Sequence, residues 1–128
     1  AANARVGVDV ESISRDLSDE FARGVFIGEE LDLAASTSNP SQAIIRFWCA
    51  KEAVSKALGT GIRYSPREMV VTSYLADTGD VTMKLTGAWE EAFKELKGKD
   101  IRISTRIMRD HALAFCFIPN SLFPSEGE

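Results

Sequence analysis

The sequence is poor in the residues that mark several common protein classes. It has two cysteines, one histidine and four prolines in 128 residues, which argues against a disulfide scaffold and against a zinc site of clustered His and Cys ligands. Its apolar runs are far shorter than the roughly 20 residues that cross a bilayer. It also lacks the basic excess of a general nucleic-acid binder, because 15 Lys and Arg stand against 19 Asp and Glu, a net charge of −4.

What is present suits one folded domain. Hydrophobic residues make up 45% and charged residues 27% of the chain, which excludes a disordered or fibrous protein. We expect a single domain over residues 1–128, with residues 1–4 a remnant of cloning or processing and residues 119–128 a flexible tail. No signal peptide is recognisable, and both cysteines lie in apolar segments. Cys49 and Cys116 are therefore predicted to be buried, reduced thiols of a cytoplasmic protein.

Hydrophobic periodicity predicts an α+β fold in which a small antiparallel sheet packs on one long helix. Helical patterns occupy residues 18–24, 28–35, 40–58 and 87–96. Strand patterns occupy residues 5–10, 69–75, 81–86, 101–107 and 112–118, and the second and third of these form a hairpin. The apolar stripe of the long helix consists of Ile44, Phe47, Trp48, the stem of Lys51, Val54 and Leu58.

Two acidic residues lie two positions apart on the first strand, in the run Gly7-Val8-Asp9-Val10-Glu11. Alternate strand residues share a face, so Asp9 and Glu11 project to the same side. Carboxylate oxygens are the ligands that Mg²⁺ prefers. Taken alone, the pair is more simply interpreted as two solvated carboxylates on an exposed strand, because acidic pairs are common on protein surfaces.

A second charged group lies near the end of the long helix. Glu52 and Lys56 are spaced to form a helical ion pair, which by itself would be worth a few tenths of a kcal/mol. Gly59 and Gly61 are typical of a helix C-terminus. His111 follows a predicted turn without a companion nucleophile, so a structural or exposed histidine is the simpler interpretation.

The two segments together resemble the 4′-phosphopantetheinyl transferases. The first is Gly7-Val8-Asp9-Val10-Glu11, and some forty residues later comes the second, Trp48-Cys49-Ala50-Lys51-Glu52-Ala53-Val54-Ser55-Lys56-Ala57-Leu58-Gly59-Thr60-Gly61. The resemblance implies the α+β fold of that family. It also implies that the chain transfers the phosphopantetheine arm of coenzyme A to a serine of an apo acyl carrier protein, releasing 3′,5′-ADP.

The resemblance also implies roles for individual residues. Asp9, Glu11 and Glu52 would hold Mg²⁺ against the pyrophosphate, and Glu52 would help to deprotonate the carrier serine. Lys56 would contact phosphate and stabilise developing charge. Lys51, with Gly59 and Gly61, would lie at the coenzyme A phosphates. Arg15, and more loosely Arg23, match basic positions that meet the carrier protein in the small members of the family.

The chain combines features of two branches of this family. Its length and the run Leu58-Gly59-Thr60-Gly61-Ile62 resemble the small synthases, which are trimers. The spacing of Asp9 and Glu11 resembles the larger pseudodimeric enzymes, and the strand 103–107 lacks the histidine of the small type. We therefore expect a homo-oligomer, with a trimer favoured, or a domain embedded in a polyketide or fatty acid synthase.

Two other functions stay open from the sequence. One is a non-catalytic module of the same fold that docks carriers or oligomerises. The other is an unrelated α+β protein that binds a small ligand or nucleotide. Three convergent carboxylates would favour the transferase, because a scaffold has no reason to hold them together.

Overall fold

An antiparallel sheet of five strands covers one long helix in the computed structural model, which describes residues 4–15 and 17–123. The strands follow the spatial order β1-β5-β4-β3-β2. Their bounds are β1 Ala4–Ser12, β2 Met69–Leu75, β3 Asp80–Leu85, β4 Ile101–Met108 and β5 His111–Pro119. The helices are α1 Asp19–Val25, α2 Gly28–Ala35, α3 Pro40–Ala57 and α4 Gly87–Ala92. The predicted fold class, helix order and β2–β3 hairpin are confirmed.

Helix α3 is the centre of the core and is buried on most of its sides. The Asn39 side chain caps its start by accepting a hydrogen bond from the Gln42 amide at 3.2 Å. Phe47, Val54 and Leu58 of the predicted stripe are buried. The buried surface is wider than the stripe, because small residues also face the sheet, namely Ala50, Ala53 and Ala57.

Strand β1 lies unusually close to α3, and Gly7 is the reason. A Cβ at Gly7 would fall inside the van der Waals radii of the Ala53 carbonyl oxygen and the Ala57 amide nitrogen. Only glycine permits this approach of backbone to backbone. This contact determines the position of β1 along the axis of α3. It therefore also determines which helix residues lie opposite the strand residues that follow Gly7.

One predicted helix is shorter than expected. The helix expected over residues 87–96 ends at Ala92, and a 3-10 turn over Lys94–Leu96 follows it and buries Leu96. The break falls at Phe93, whose backbone is not helical.

The described residues near both chain ends lie next to each other at the edge of the sheet. Ala4 is paired with Pro119 at the end of β1, and Asn120–Leu122 form a 3-10 turn beyond β5. The Arg5 guanidinium lies 3.7 Å from the centre of the Phe123 ring. The flexible tail expected over residues 119–128 stays a prediction. Residues 1–3 and 124–128 lie outside the described residues.

Cys49 and Cys116 are both buried and unbridged, as predicted. In the described part of the chain, no helix is both long and apolar enough to span a membrane.

Candidate active site

Three carboxylates from two distant parts of the sequence meet at one point. Asp9 and Glu11 extend from β1, and Glu52 extends from α3. One ligand oxygen from each residue lies within 4.8 Å of the other two. The convergence of the strand pair with the helical glutamate is therefore found in the structure. The alternative interpretation of Asp9 and Glu11, as two fully solvated carboxylates on an exposed strand, does not fit this arrangement.

Strand β1 has the reverse of the usual side-chain distribution, with polar residues on its buried face and apolar residues on its exposed face. Its side toward α3 carries Gly7, Asp9 and Glu11, while its outer side carries Val6, Val8 and Val10, which are about half exposed. Burying carboxylates costs free energy unless they are paired or bind a cation. The strand thus exposes apolar side chains and covers acidic ones, which indicates two specialised surfaces.

Asp9 is the most enclosed of the three acids. Its side chain is 6% exposed, and one oxygen, Oδ1, accepts a hydrogen bond from Lys56 Nζ at 2.8 Å. The other oxygen, Oδ2, is buried and has no hydrogen-bond partner among the described residues. A buried oxygen without a donor is destabilising in itself. A divalent cation between the carboxylates would satisfy it, so the donor set fits a hard metal ion.

The electrostatics of the other two acids agree with that fit. Burial raises the pKa of Glu11, with a further rise from Asp9 and an opposing effect of Arg15. Burial also raises the pKa of Glu52, followed by the charge of Asp9, while Lys56 and Arg15 lower it. Both shifts favour the neutral form of the acid, first because of burial and second because of the nearby Asp9, and a bound cation would offset both effects.

Lys56 behaves differently from the simple helical pair. It reaches across to Asp9 of β1, and this hydrogen bond raises the pKa of the Lys56 ammonium. Its side chain is 49% exposed. One side of the ammonium therefore holds Asp9, and the solvent side is accessible to an anionic ligand.

Lys51 is the clearest correction to the predicted site. Its side chain has no exposed surface, and Nζ donates to the Val25 carbonyl at 2.7 Å, the Glu30 carboxylate at 2.9 Å and the Pro66 carbonyl at 2.9 Å. Burial lowers the pKa of Lys51 to about 8, opposed by Glu30. All three ammonium protons are used inside the protein, so Lys51 is a structural residue and does not face a coenzyme A phosphate.

Gly59 and Gly61 end helix α3 as predicted. Their φ angles are 81° and 64°, in the left-handed region that favours glycine. The amides of Thr60 and Gly61 both donate to the Ser55 carbonyl, at 3.1 and 3.2 Å. The space beside both glycines is open, with no atom within 4 Å of an added Cβ. Their role in binding coenzyme A stays a prediction.

The two predicted carrier contacts lie on the same side of the molecule as α1. Arg15 follows β1, and its guanidinium lies 2.7 Å from Glu11 and 5.2 Å from the centre of the Phe21 ring. Arg23 lies exposed in the last turn of α1. His111 begins β5 and is exposed, in line with the simpler interpretation of that residue.

Sequence reasoning missed Glu30, which completes the buried pair with Lys51. Its carboxylate also accepts hydrogen bonds from the Ile27 amide at 3.0 Å and the Val71 amide at 2.9 Å. The available signal was its place three residues after the N-cap of α2, where glutamate often bonds back to the cap. Nothing in the spacing indicated that a lysine 21 residues later would join it.

Comparison with known proteins agrees with the geometry. The model of the 4′-phosphopantetheinyl transferase superfamily matches residues 5–116. A holo-[acyl-carrier-protein] synthase of Dinoroseobacter shibae is 36% identical, covering 95% of this chain and 94% of the relative. A synthase of the same name from Jannaschia sp. is 30% identical over 96% of this chain and 88% of its own length.

Solved structures show the same fold. The holo-[acyl-carrier-protein] synthase of Neisseria meningitidis superimposes with a TM-score of 0.72 at 26% identity, covering 88% of this chain and 95% of that one. The Bacillus anthracis synthase, described as a complex with CoA (3′,5′-ADP), superimposes with a TM-score of 0.67 at 18% identity. The latter covers 91% of this chain and 97% of its own.

Proposed function

The chain belongs to the 4′-phosphopantetheinyl transferase superfamily, and on that premise we propose that it is a Mg²⁺-dependent holo-acyl-carrier-protein synthase. It transfers the phosphopantetheine arm of coenzyme A to a serine of an apo acyl carrier protein or carrier domain. The serine oxygen bonds to the phosphorus that carries the arm, the bond from that phosphorus to 3′,5′-ADP breaks, and the serine gives up its proton.

The observation that carries the proposal is the cluster of Asp9, Glu11 and Glu52 with its unsatisfied buried oxygen. These carboxylates supply the hard oxygen ligands that Mg²⁺ requires. When bound, the ion would neutralise charge on the pyrophosphate. The cluster thus explains how a chain of net charge −4 binds a polyanionic substrate.

The chain's own residues provide positioning and proton transfer. Lys56, anchored by Asp9 at 2.8 Å, directs the rest of its ammonium toward solvent and would contact a phosphate oxygen. Glu52 is half-buried next to Asp9 and Glu11, and its carboxylate can accept a proton. We assign to it the serine proton. The open turn at Gly59 and Gly61 would admit the substrate close to the backbone.

We further propose that the protein is a homotrimer. Support comes from the outer face of β1 and β5, where large apolar side chains are 46–52% exposed, namely Val6, Val8, Val10, Phe115 and Phe117. A contiguous apolar patch of this kind on a sheet face indicates a protein–protein interface. A second copy would cover the patch, and identical chains usually associate with closed symmetry. The number three rests on the resemblance to the small synthases.

The biological setting belongs to the same proposal. The buried thiols Cys49 and Cys116 suit a cytoplasmic enzyme. The carrier would be that of a polyketide or fatty acid synthase, with Arg15 and the exposed Arg23 meeting its surface.

The experiment incubates the protein with coenzyme A, Mg²⁺ and an apo carrier protein, and follows the carrier by mass spectrometry. The expected result is a gain equal to one phosphopantetheine arm, abolished by EDTA and by Glu52→Gln. The variant should fold with an unchanged circular dichroism spectrum, because Gln is isosteric and relieves charge repulsion. No gain with any of several carriers, together with carrier binding that Glu52→Gln leaves intact, would support a non-catalytic docking module instead.

A further inference from the structure

We infer that Arg15 sets the affinity of the carboxylate cluster for a divalent cation by competing with that cation for Glu11. This inference rests on the proposed function, because it takes Asp9, Glu11 and Glu52 as the metal ligands. Arg15 thereby acts as a positioning residue at the metal site, in addition to the carrier contact expected of it.

The competition follows from a shared carboxylate. The Arg15 guanidinium lies 2.7 Å from Glu11 Oε1, and Glu11 also supplies one of the three clustered ligand oxygens. A guanidinium at hydrogen-bond distance neutralises the charge that a metal ion would use. A cation that binds through Glu11 must therefore displace or weaken the ion pair between Arg15 and Glu11.

The influence of Arg15 extends beyond its direct partner. Its charge acts on Glu11 and also on Glu52 of the facing helix. A divalent cation bound to Glu11 and Glu52 would therefore be repelled by the nearby positive charge of Arg15. Lys56 acts on Asp9 in the corresponding way, so two of the three carboxylates each have a cationic partner.

Arg15 is built to exchange partners. Its side chain is 41% exposed, whereas that of Glu11 is 14% exposed. It is placed after β1 by its own amide, which donates to the Ser12 carbonyl at 3.2 Å. Its guanidinium also lies 5.2 Å from the centre of the Phe21 ring of α1. When a cation takes Glu11, the guanidinium can therefore move into solvent without losing a buried partner.

A consequence for binding follows from thermodynamic reciprocity. Any acidic group of a partner that draws Arg15 away from Glu11 strengthens cation binding, and the cation strengthens the partner by the same factor. Metal loading and the docking of an acidic surface are thus coupled through one side chain.

The test is a titration of the protein, without coenzyme A, with Mn²⁺ at low salt and pH 7.5, with the free ion counted by electron paramagnetic resonance. Arg15→Gln should bind Mn²⁺ about three- to tenfold more tightly than the parent, from the loss of one screened charge near the ion. Arg15→Lys, which keeps the charge but loses the forked hydrogen bonds, should fall between the two. Arg23→Gln removes the same charge from an exposed site on α1 and should leave the affinity unchanged.

The controls separate this inference from the proposed function. Glu11→Gln and Glu52→Gln should each weaken Mn²⁺ binding at least tenfold. If they do and Arg15→Gln binds equally or more weakly than the parent, the competition is overturned and the metal site stands. If Glu11→Gln and Glu52→Gln both leave the Mn²⁺ affinity unchanged, the cluster is not the metal site. That result would overturn both the proposed metal site and the competition by Arg15.

Discussion

Burial assigns different tasks to the two lysines of α3 that the sequence places near coenzyme A. Lys51 is buried, and its ammonium donates hydrogen bonds to Val25, Glu30 and Pro66. About half of the Lys56 side chain, in contrast, is exposed to solvent. A buried lysine with all its protons used holds elements together. Only the exposed one remains available to a substrate.

Replacing Lys51 therefore tests structure and not substrate binding. Lys51→Met should lower the free energy of unfolding by about 3–5 kcal/mol, because it leaves the Glu30 carboxylate buried without its cation. The double variant Lys51→Met with Glu30→Gln should recover part of the loss. Urea unfolding of both proteins measures this. A KM for coenzyme A that rises while stability stays unchanged would return Lys51 to the substrate site.

The two thiols should be inert in the folded protein. Burial raises the pKa of Cys116 to about 12, and burial together with the nearby Asp9 raises the pKa of Cys49 well above its usual range. Thiolate, not thiol, attacks alkylating reagents. We expect both cysteines to resist a thiol reagent at pH 8 and to react promptly in guanidinium chloride. Prompt modification of either one in the native protein would contradict the packing described here.

Among the elements, β1 is the one on which the site depends. Its acidic side can approach α3 only because Gly7 has no side chain, and small alanines lie opposite it. The residue that permits this close approach, Gly7, thus lies on the same strand as Asp9 and two positions before it. The geometry of the carboxylates is a property of the β1–α3 contact and not of either element alone.

Gly7→Ala should disturb that contact. The added methyl group would push β1 away from Ala53, with an expected loss of about 1–3 kcal/mol in stability and weaker divalent-ion binding as Asp9 moves from Glu52. Gly24→Ala is the matched control, because its Cβ meets no atom within 4 Å. Thermal unfolding and Mn²⁺ titration of both variants provide the comparison. Equal behaviour of the two alanine variants would show that the close approach is unimportant.

The elements and the acidic pair of β1 could be predicted from local patterns, whereas the third carboxylate of the cluster came from the family resemblance. Strand alternation places Asp9 and Glu11 on one face, and the family resemblance adds Glu52. The choice of partner across the fold could not be read in the same way. Lys56 binds Asp9, 47 residues away, and Lys51 binds Glu30, 21 residues away. Spacing along a helix carries no information about either contact.

The molecule as a whole has two unlike sides around β1. One side holds charged groups against α3, and the other presents the apolar patch of β1 and β5 to solvent. An exposed apolar patch of this kind is typical of a protein–protein interface. The whole molecule is thus expected to be an assembly of copies.

Disrupting the apolar patch should change the assembly. Phe117→Lys places a charge at the centre of the outer face, so light scattering should show a single chain where the parent shows three. Thr72→Lys adds the same charge at an exposed position of the edge strand β2 and should leave the mass unchanged. A parent protein that is already monomeric would contradict the trimer.

The most direct test of the central claim is a crystal structure of the protein with Mn²⁺ and coenzyme A, read from the anomalous signal of manganese. We predict one strong peak within bonding distance of carboxylate oxygens from Asp9, Glu11 and Glu52. A peak bound to the pyrophosphate alone, or no peak at these three residues, would contradict the account.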